Sequence, residues 1–136
     1  MTNGSLSSGG RKVVVAAAVL RDGRLLACRR TTPPEAAGRW ELPGGKVEDG
    51  ETPDAALVRE VGEELAVDVT VTGWLEGAAP IGDTHELRVA TCSVATWAPY
   101  PVEHDRLRWL RAAEVDDVDW LEPDRPFLAA LRARLA

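Results

Sequence analysis

The stretch Gly44 to Val67, GGKVEDGETPDAALVREVGEELAV, constrains this chain more than any other. Between Glu48 and Glu64 it sets seven carboxylates in seventeen residues against one arginine, in a protein whose net charge is already −6. Thr52-Pro53 reads as a helix start: the hydroxyl is available as a cap, and proline at the first helical position loses no hydrogen bond. The spacing predicts a helix running to about Leu65. At roughly 100° per residue, Glu60, Glu63 and Glu64 fall within an arc of about 100°, and Leu57, Val58, Val61 and Leu65 gather on a neighbouring face that can bury.

A run of charge is ordinarily a solvated face. Here, however, like charges four residues apart cost about a few tenths of a kcal/mol each, and basic partners on that face are nearly absent. A hard divalent cation accounts for the cluster better. Mg²⁺, with Mn²⁺ as a substitute, prefers oxygen ligands, keeps several waters and bridges carboxylates to phosphate. It would also let an acidic protein hold a polyanion. Gly44-Gly45 adds backbone that can approach closely, offering a carbonyl to metal or an N–H to phosphate.

The remaining sequence supplies the frame. With 136 residues, 45% of them apolar and 28% charged, the chain suits one globular domain. Residues 1–10, MTNGSLSSGG, read as a flexible tail, and residues 11–136 as the domain. A pI near 4.9 argues against a broad grip on nucleic acid or on anionic lipid. No stretch is long enough to span a bilayer. Arg11-Lys12 before Val13 to Leu20, followed by Leu25-Leu26-Ala27-Cys28, imitates an export signal, but Arg21-Asp22-Gly23-Arg24 puts three charges in its middle. Asp22-Gly23 is instead a hairpin turn between strands Val13–Leu20 and Arg24–Arg29. Cys28 and Cys92 read as small core residues of a cytoplasmic protein.

Further strands are expected at Val67–Val71, at His85–Trp97 and at Leu107–Leu110, with an amphipathic helix from Asp124 to Leu135. These elements predict an α+β fold, a mixed sheet between helices.

Gly45, Glu51 and Arg59-Glu60-Val61-Gly62-Glu63-Glu64-Leu65-Ala66-Val67 resemble the Nudix box, G-x5-E-x7-R-E-U-x-E-E-x-G-U with U apolar. Eight of its nine defined positions are met, Ala66 replacing the last glycine. Trp40 to Lys46, Glu103-His104 through Trp109, and Trp120 to Pro126 are similar to the MutT-like and CTP-pyrophosphohydrolase-like branch. The resemblance implies a Nudix-type α/β/α sandwich and metal-dependent hydrolysis of a nucleoside diphosphate linkage. It implies metal ligation by Glu60, Glu63 and Glu64 with the Gly44 carbonyl. Arg59 would hold the loop against the helix by pairing with a box glutamate, with Glu51 structural. Two carboxylates compete for the general base, Glu60 first and Glu103 second, and Glu103 is also a candidate metal ligand. Ala66 costs about 1 kcal/mol at a left-handed cap, or shifts the cap by a residue.

Substrate contacts are expected from Arg29, Arg39, Gly45 and Lys46, from Trp40 by stacking, and from Asp124. An aspartate accepts from the exocyclic amine of cytosine, and a protonated one donates to an oxidised purine; Asp124 is also placed to cap a helix. His104 reads as a surface residue rather than a base. The expected activity is release of monophosphate and pyrophosphate from a (deoxy)nucleoside triphosphate, by a monomer or homodimer. The alternatives are an ADP-ribose or dinucleoside polyphosphate hydrolase, and a nucleotide sensor without turnover.

Overall fold

A computed structural model of the chain describes residues 10–135, so all but the last residue of the tail expected at residues 1–10 lies outside the described residues. The organising strand is β1 (Lys12–Arg21), whose side chains alternate between two apolar cores. Val13, Val15, Ala17 and Val19 enter one core, and Ala16 and Ala18 the other. The period of two in KVVVAAAVLR thus makes β1 the floor of both layers. Asp22 and Gly23 both adopt positive φ, 52° and 73°, and return the chain as β2 (Arg24–Arg30).

Around this hairpin lie β3 (Trp40–Glu41), β4 (Gly44–Lys46), β5 (Val69–Trp74), β6 (Ala79–Ile81), β7 (His85–Val94) and β8 (His104–Leu110). β1 runs parallel to β7 from Lys12 to Val19 and antiparallel to β4. β5 and β6 pair antiparallel with β7. β2 carries β3 and β8. The sheet is mixed.

Helix α1 (Pro53–Leu65) covers one face. Thr52 Oγ1 accepts from Ala55 N–H at 3.1 Å, and the helix ends at Ala66, in the left-handed region at φ 57°, whose N–H donates to Gly62 O at 2.9 Å. Alanine therefore takes the cap conformation without displacing it. Ala56, Leu57, Val61 and Leu65 are buried, whereas Val58, expected on that face, is exposed. Each fully buried Leu or Val contributes about 1.5–3 kcal/mol, far more than the repulsion among the glutamates above.

The opposite face is covered by two 3-10 helices, Ala112–Asp117 and Glu122–Phe127, and by α2 (Leu128–Arg132). The continuous helix expected from Asp124 is thus replaced by a 3-10 segment and a short α-helix, since Pro126 inside it can donate no backbone bond. Its apolar face survives, with Phe127, Leu128 and Leu131 buried around Trp120. β5 starts two residues late because Ala66 occupies the cap, and β7 ends at Val94. Cys28 and Cys92 are buried free thiols, and burial pushes Cys92 up to about 12. No helix among the described residues is long and apolar enough to cross a membrane.

Candidate active site

Two cavities open side by side above β4. The first, about 410 Å³, is lined by Glu60, Glu63 and Glu64 of α1, by Gly44, Gly45 and Lys46 of β4, and by Glu48, Arg30, Val102 and Glu103. The second, about 420 Å³, shares Arg30, Gly44, Gly45 and Lys46 and continues to Glu41, Leu42, Leu87 and Asp124. A shallower depression of about 630 Å³ over α1 and β5 gathers no such set of converging groups.

The glycine pair is required by closeness. A Cβ at Gly45 would overlap the Glu60 carboxyl, and one at Gly44 would overlap the Val15 carbonyl oxygen across β1. At Gly44 the obstacle is backbone, so only glycine lets β4 lie there; at Gly45 it is the end of the Glu60 side chain, which a larger residue would displace.

Arg59 lines the depression over α1 and β5 rather than the first cavity, yet ties that cavity's glutamates from there. Its Nε and Nη2 hold Glu51 at 2.6 and 3.0 Å, Nη1 reaches Glu60 and Glu63 at 3.2 Å each, and Nη2 also donates to Lys46 O at 3.1 Å. The bidentate pair lowers the Glu51 carboxyl below its ordinary range and raises Arg59. Glu51 also accepts from Glu48 N–H at 3.0 Å, so loop, helix and β4 are tied at one guanidinium.

Glu64 is placed differently. Burial first, then Glu41 and Glu60, push its carboxyl up to about 8, with the Gly44 N–H pulling the other way. Its Oε1 is buried and has no hydrogen-bond partner. Glu60 is also raised, by burial against the opposing pull of Arg59. Oxygen donors converging on one cavity, one of them buried and unpartnered, fit a hard divalent cation. The chain from Ala98 to His104 completes this wall: Tyr100 N–H donates to Leu65 O at 2.6 Å, Val102 N–H to Glu64 O at 2.9 Å, and Thr31 Oγ1 to Glu103 O at 2.9 Å. These bonds cap the end of α1 and hold Glu103 over the glutamates.

In the second cavity Asp124 is 4% exposed. It lies inside the 3-10 helix rather than at a helix cap. Burial, then the neighbouring Glu41, raise its carboxyl well above the ordinary range, opposed by a hydrogen bond from Leu42 N–H. Asp124 and Glu41 thus bring two carboxyl groups to the lining of one cavity, where they can meet a polar, hydrogen-bonding guest.

The structure brings Gly44, Gly45, Lys46, Glu60, Glu63, Glu64, Glu103 and Asp124 to these cavities. It does not bring Arg29, Arg39 or Trp40. Arg29 forms a bidentate pair with Asp105 on the surface, both contacts 2.8 Å. Arg39 donates to Trp120 O and pairs with Asp119 and Glu122. Trp40 is buried, its N–H bonded to Asp119 O and its carbonyl to Leu121 N–H. Arg30 and Glu41, absent from the sequence-based set, are present instead. Period two along β2 could have found Arg30, which is in phase with Leu26 and Cys28 on the α1 face.

The NUDIX domain model matches residues 10–135. The chain belongs to the Nudix family. This Nudix hydrolase is 42% identical over 127 residues to "Putative 8-oxo-dGTP diphosphatase 2" of Mycobacterium tuberculosis, covering 91% of this chain and 90% of that protein. It is 35% identical over 125 residues to the CTP pyrophosphohydrolase of Escherichia coli K12, covering 88% and 90%. Among solved structures it superposes on the E. coli ORF135 protein with a TM-score of 0.75 at 32% identity, over 89% of this chain and 88% of that one. The MutT NUDIX hydrolase of Burkholderia pseudomallei gives 0.73 at 31%, over 86% and 95%.

Proposed function

We propose that this Nudix hydrolase cleaves a (deoxy)nucleoside triphosphate to monophosphate and pyrophosphate, with cytosine or oxidised purine nucleotides favoured. The observation that carries this reading is the pair of adjoining cavities sharing Gly44, Gly45, Lys46 and Arg30. One is built for phosphate, the other for a group of nucleobase size.

Glu60, Glu63 and Glu64, with Glu103 and the Gly44 carbonyl, would hold Mg²⁺ or Mn²⁺. Such an ion, when bound, neutralises phosphate oxygens and acidifies water. The chain itself does the rest. Arg30 and Lys46 bind and orient the phosphates from the shared floor. Arg59 fixes the loop before α1 and keeps Glu60 and Glu63 in register. Glu60, pressed against Gly45 and drawn upward by burial, is the first assignment for the carboxylate that accepts a proton from the attacking water; Glu103 is the second. Asp124 and Glu41 meet the base. Asp124, whose proton burial holds, serves as a donor and the free oxygen of Glu41 as an acceptor, so that together they match the ring nitrogen and the amine of cytosine, and the same pair suits the amide edge of an oxidised purine.

The two relatives above carry the names "Putative 8-oxo-dGTP diphosphatase 2" and "CTP pyrophosphohydrolase", which supports the triphosphate class. Retention of every helix glutamate speaks against a sensor without turnover. A nucleotide panel with Mg²⁺, read as pyrophosphate against phosphate release, tests the assignment. Turnover is expected on at least one triphosphate, and Glu63→Gln should cut it by about a hundredfold or more. Preference for ADP-ribose or dinucleoside polyphosphates would move the substrate class; unchanged activity in Glu63→Gln would remove the metal assignment.

A further inference from the structure

The imidazole of His104 is not a surface group. Its side chain is 1% exposed. Nε2 donates to Glu41 Oε2 at 2.9 Å, and Nδ1 is buried without a partner. Arg30 Nη1 donates to the same Glu41 oxygen at 2.8 Å. Both donors therefore hold one oxygen of Glu41. Its other oxygen, Oε1, has no protein partner among the described residues, and Glu41 lines the cavity that contains Asp124.

This arrangement depends on an irregularity in the sheet. β8 pairs with β2 in regular register from Leu25 with Leu110 to Arg29 with Arg106, and then slips, so that Arg30 faces His104 rather than Asp105. The bulge leaves Asp105 outside, paired with Arg29, and puts His104 opposite Arg30. Glu41 comes from β3 on the other side of β2, where it pairs with Cys28. His104 thus reaches across β2 to Glu41, by the kind of re-aiming that bulges provide beside functional sites. A buried ring nitrogen left without a partner is a burden on stability. Packing alone would be served better by an apolar side chain.

The geometry points to His104 as a positioning residue for nucleobase discrimination: with Arg30 it clamps one oxygen of Glu41, so that the other is presented to the base cavity in a single orientation. His104 lines neither cavity; it stands behind them, with one of its ring nitrogens and one oxygen each of Glu41 and Glu64 within 4.8 Å of one another. It acts through Glu41, whose fixed acceptor favours an exocyclic amine over a carbonyl at the same position. This rests on the nucleotide reading above but requires no turnover.

The test is equilibrium binding, without metal, of two pairs of nucleoside 5′-monophosphates that differ in one exocyclic group. Cytidine is set against uridine, and adenosine against inosine. Wild type should favour the amine of at least one pair by about tenfold. His104→Leu, which fills the buried space and removes the unpartnered nitrogen, should stay folded and bring that ratio below about threefold, leaving affinity for the carbonyl member unchanged. His104→Gln, which restores a donor, should recover most of the ratio. The inference is overturned if His104→Leu keeps the wild-type ratio, if it weakens both members equally, or if wild type prefers neither amine or binds none of the four at millimolar concentration. Pyrophosphate release by the wild-type enzyme, measured separately, reports on the hydrolase assignment whatever these ratios show.

Discussion

The two cavities share a floor and differ in how their charge is managed. Around the first, one guanidinium serves Glu51, Glu60 and Glu63, and only Glu64 is left with a buried oxygen unanswered. Around the second there are two carboxylates, and only Glu41 has basic partners, Arg30 and His104. Crowded charge with a fixed countercharge suits an incoming cation, whereas an isolated buried acid suits a neutral, hydrogen-bonding guest. The same residue type is thus set to opposite tasks by its neighbours.

Removing the countercharge should break the first cavity and spare the second. Arg59→Ala releases Glu51, Glu60 and Glu63 at once, and should lower kcat/KM by about a hundredfold or more. Stability should fall by about 2 kcal/mol from lost charged hydrogen bonds. The ratio of kcat/KM between two bases should remain as in wild type, since Asp124 and Glu41 are untouched; steady-state kinetics on paired substrates with a thermal melt checks this.

The opposite substitution is Asp124→Asn. Because burial raises the folded carboxyl above its unfolded value, the fold binds that proton more tightly than the unfolded chain does. Asp124 therefore costs little stability below about pH 4, near the unfolded value, and its cost grows as pH rises from there toward the folded value. Asparagine carries no such cost, so the variant should melt higher than wild type at pH 7.5, with the gain vanishing toward pH 4. Base preference should shift by about tenfold through KM, with kcat nearly unchanged. A gain in melting temperature independent of pH would contradict the buried-acid reading.

The smallest effect belongs to a residue outside both cavities. Ala66→Gly relieves a left-handed alanine and loosens the unfolded chain, for a net gain of about 0.5–1 kcal/mol. Kinetics should not change. A denaturant titration together with kcat/KM shows whether the cap is separable from the site.

The sequence was unequally informative about these regions for a geometric reason. Glu60, Glu63 and Glu64 converge because a helix brings positions three and four apart onto one side, so spacing alone locates them. Strands β1 and β7 are likewise legible from their local runs of Val, Ala and Thr, and the mixed sheet from the interleaving of strands with helices. The second cavity draws on β1, β3, β4, β7 and the segment after Leu121, and no local period links Glu41 to Asp124. Arg29 was expected to face the substrate, whereas it is Arg30 that lines the two cavities, since adjacent strand residues face opposite ways and a charge pair alone does not say which is turned inward. Trp40, expected to stack, is held in the core by backbone bonds to Asp119 and Leu121 that join residues some eighty positions apart. His104 looked like a surface residue because the bulge that buries it leaves no mark in the sequence.

The parallel pairing of β1 with β7 joins Val13 to Glu86, seventy-three positions away, and the entire box lies within the loop so closed. Contacts of that range are costly in chain entropy and form slowly compared with hairpins. Helix α1 can form early, but Gly44 and Gly45 meet the glutamates only once β4 has docked on β1. Recovery of activity after dilution from denaturant should therefore lag behind recovery of helical signal, which makes catalytic competence a clock for the last steps of folding.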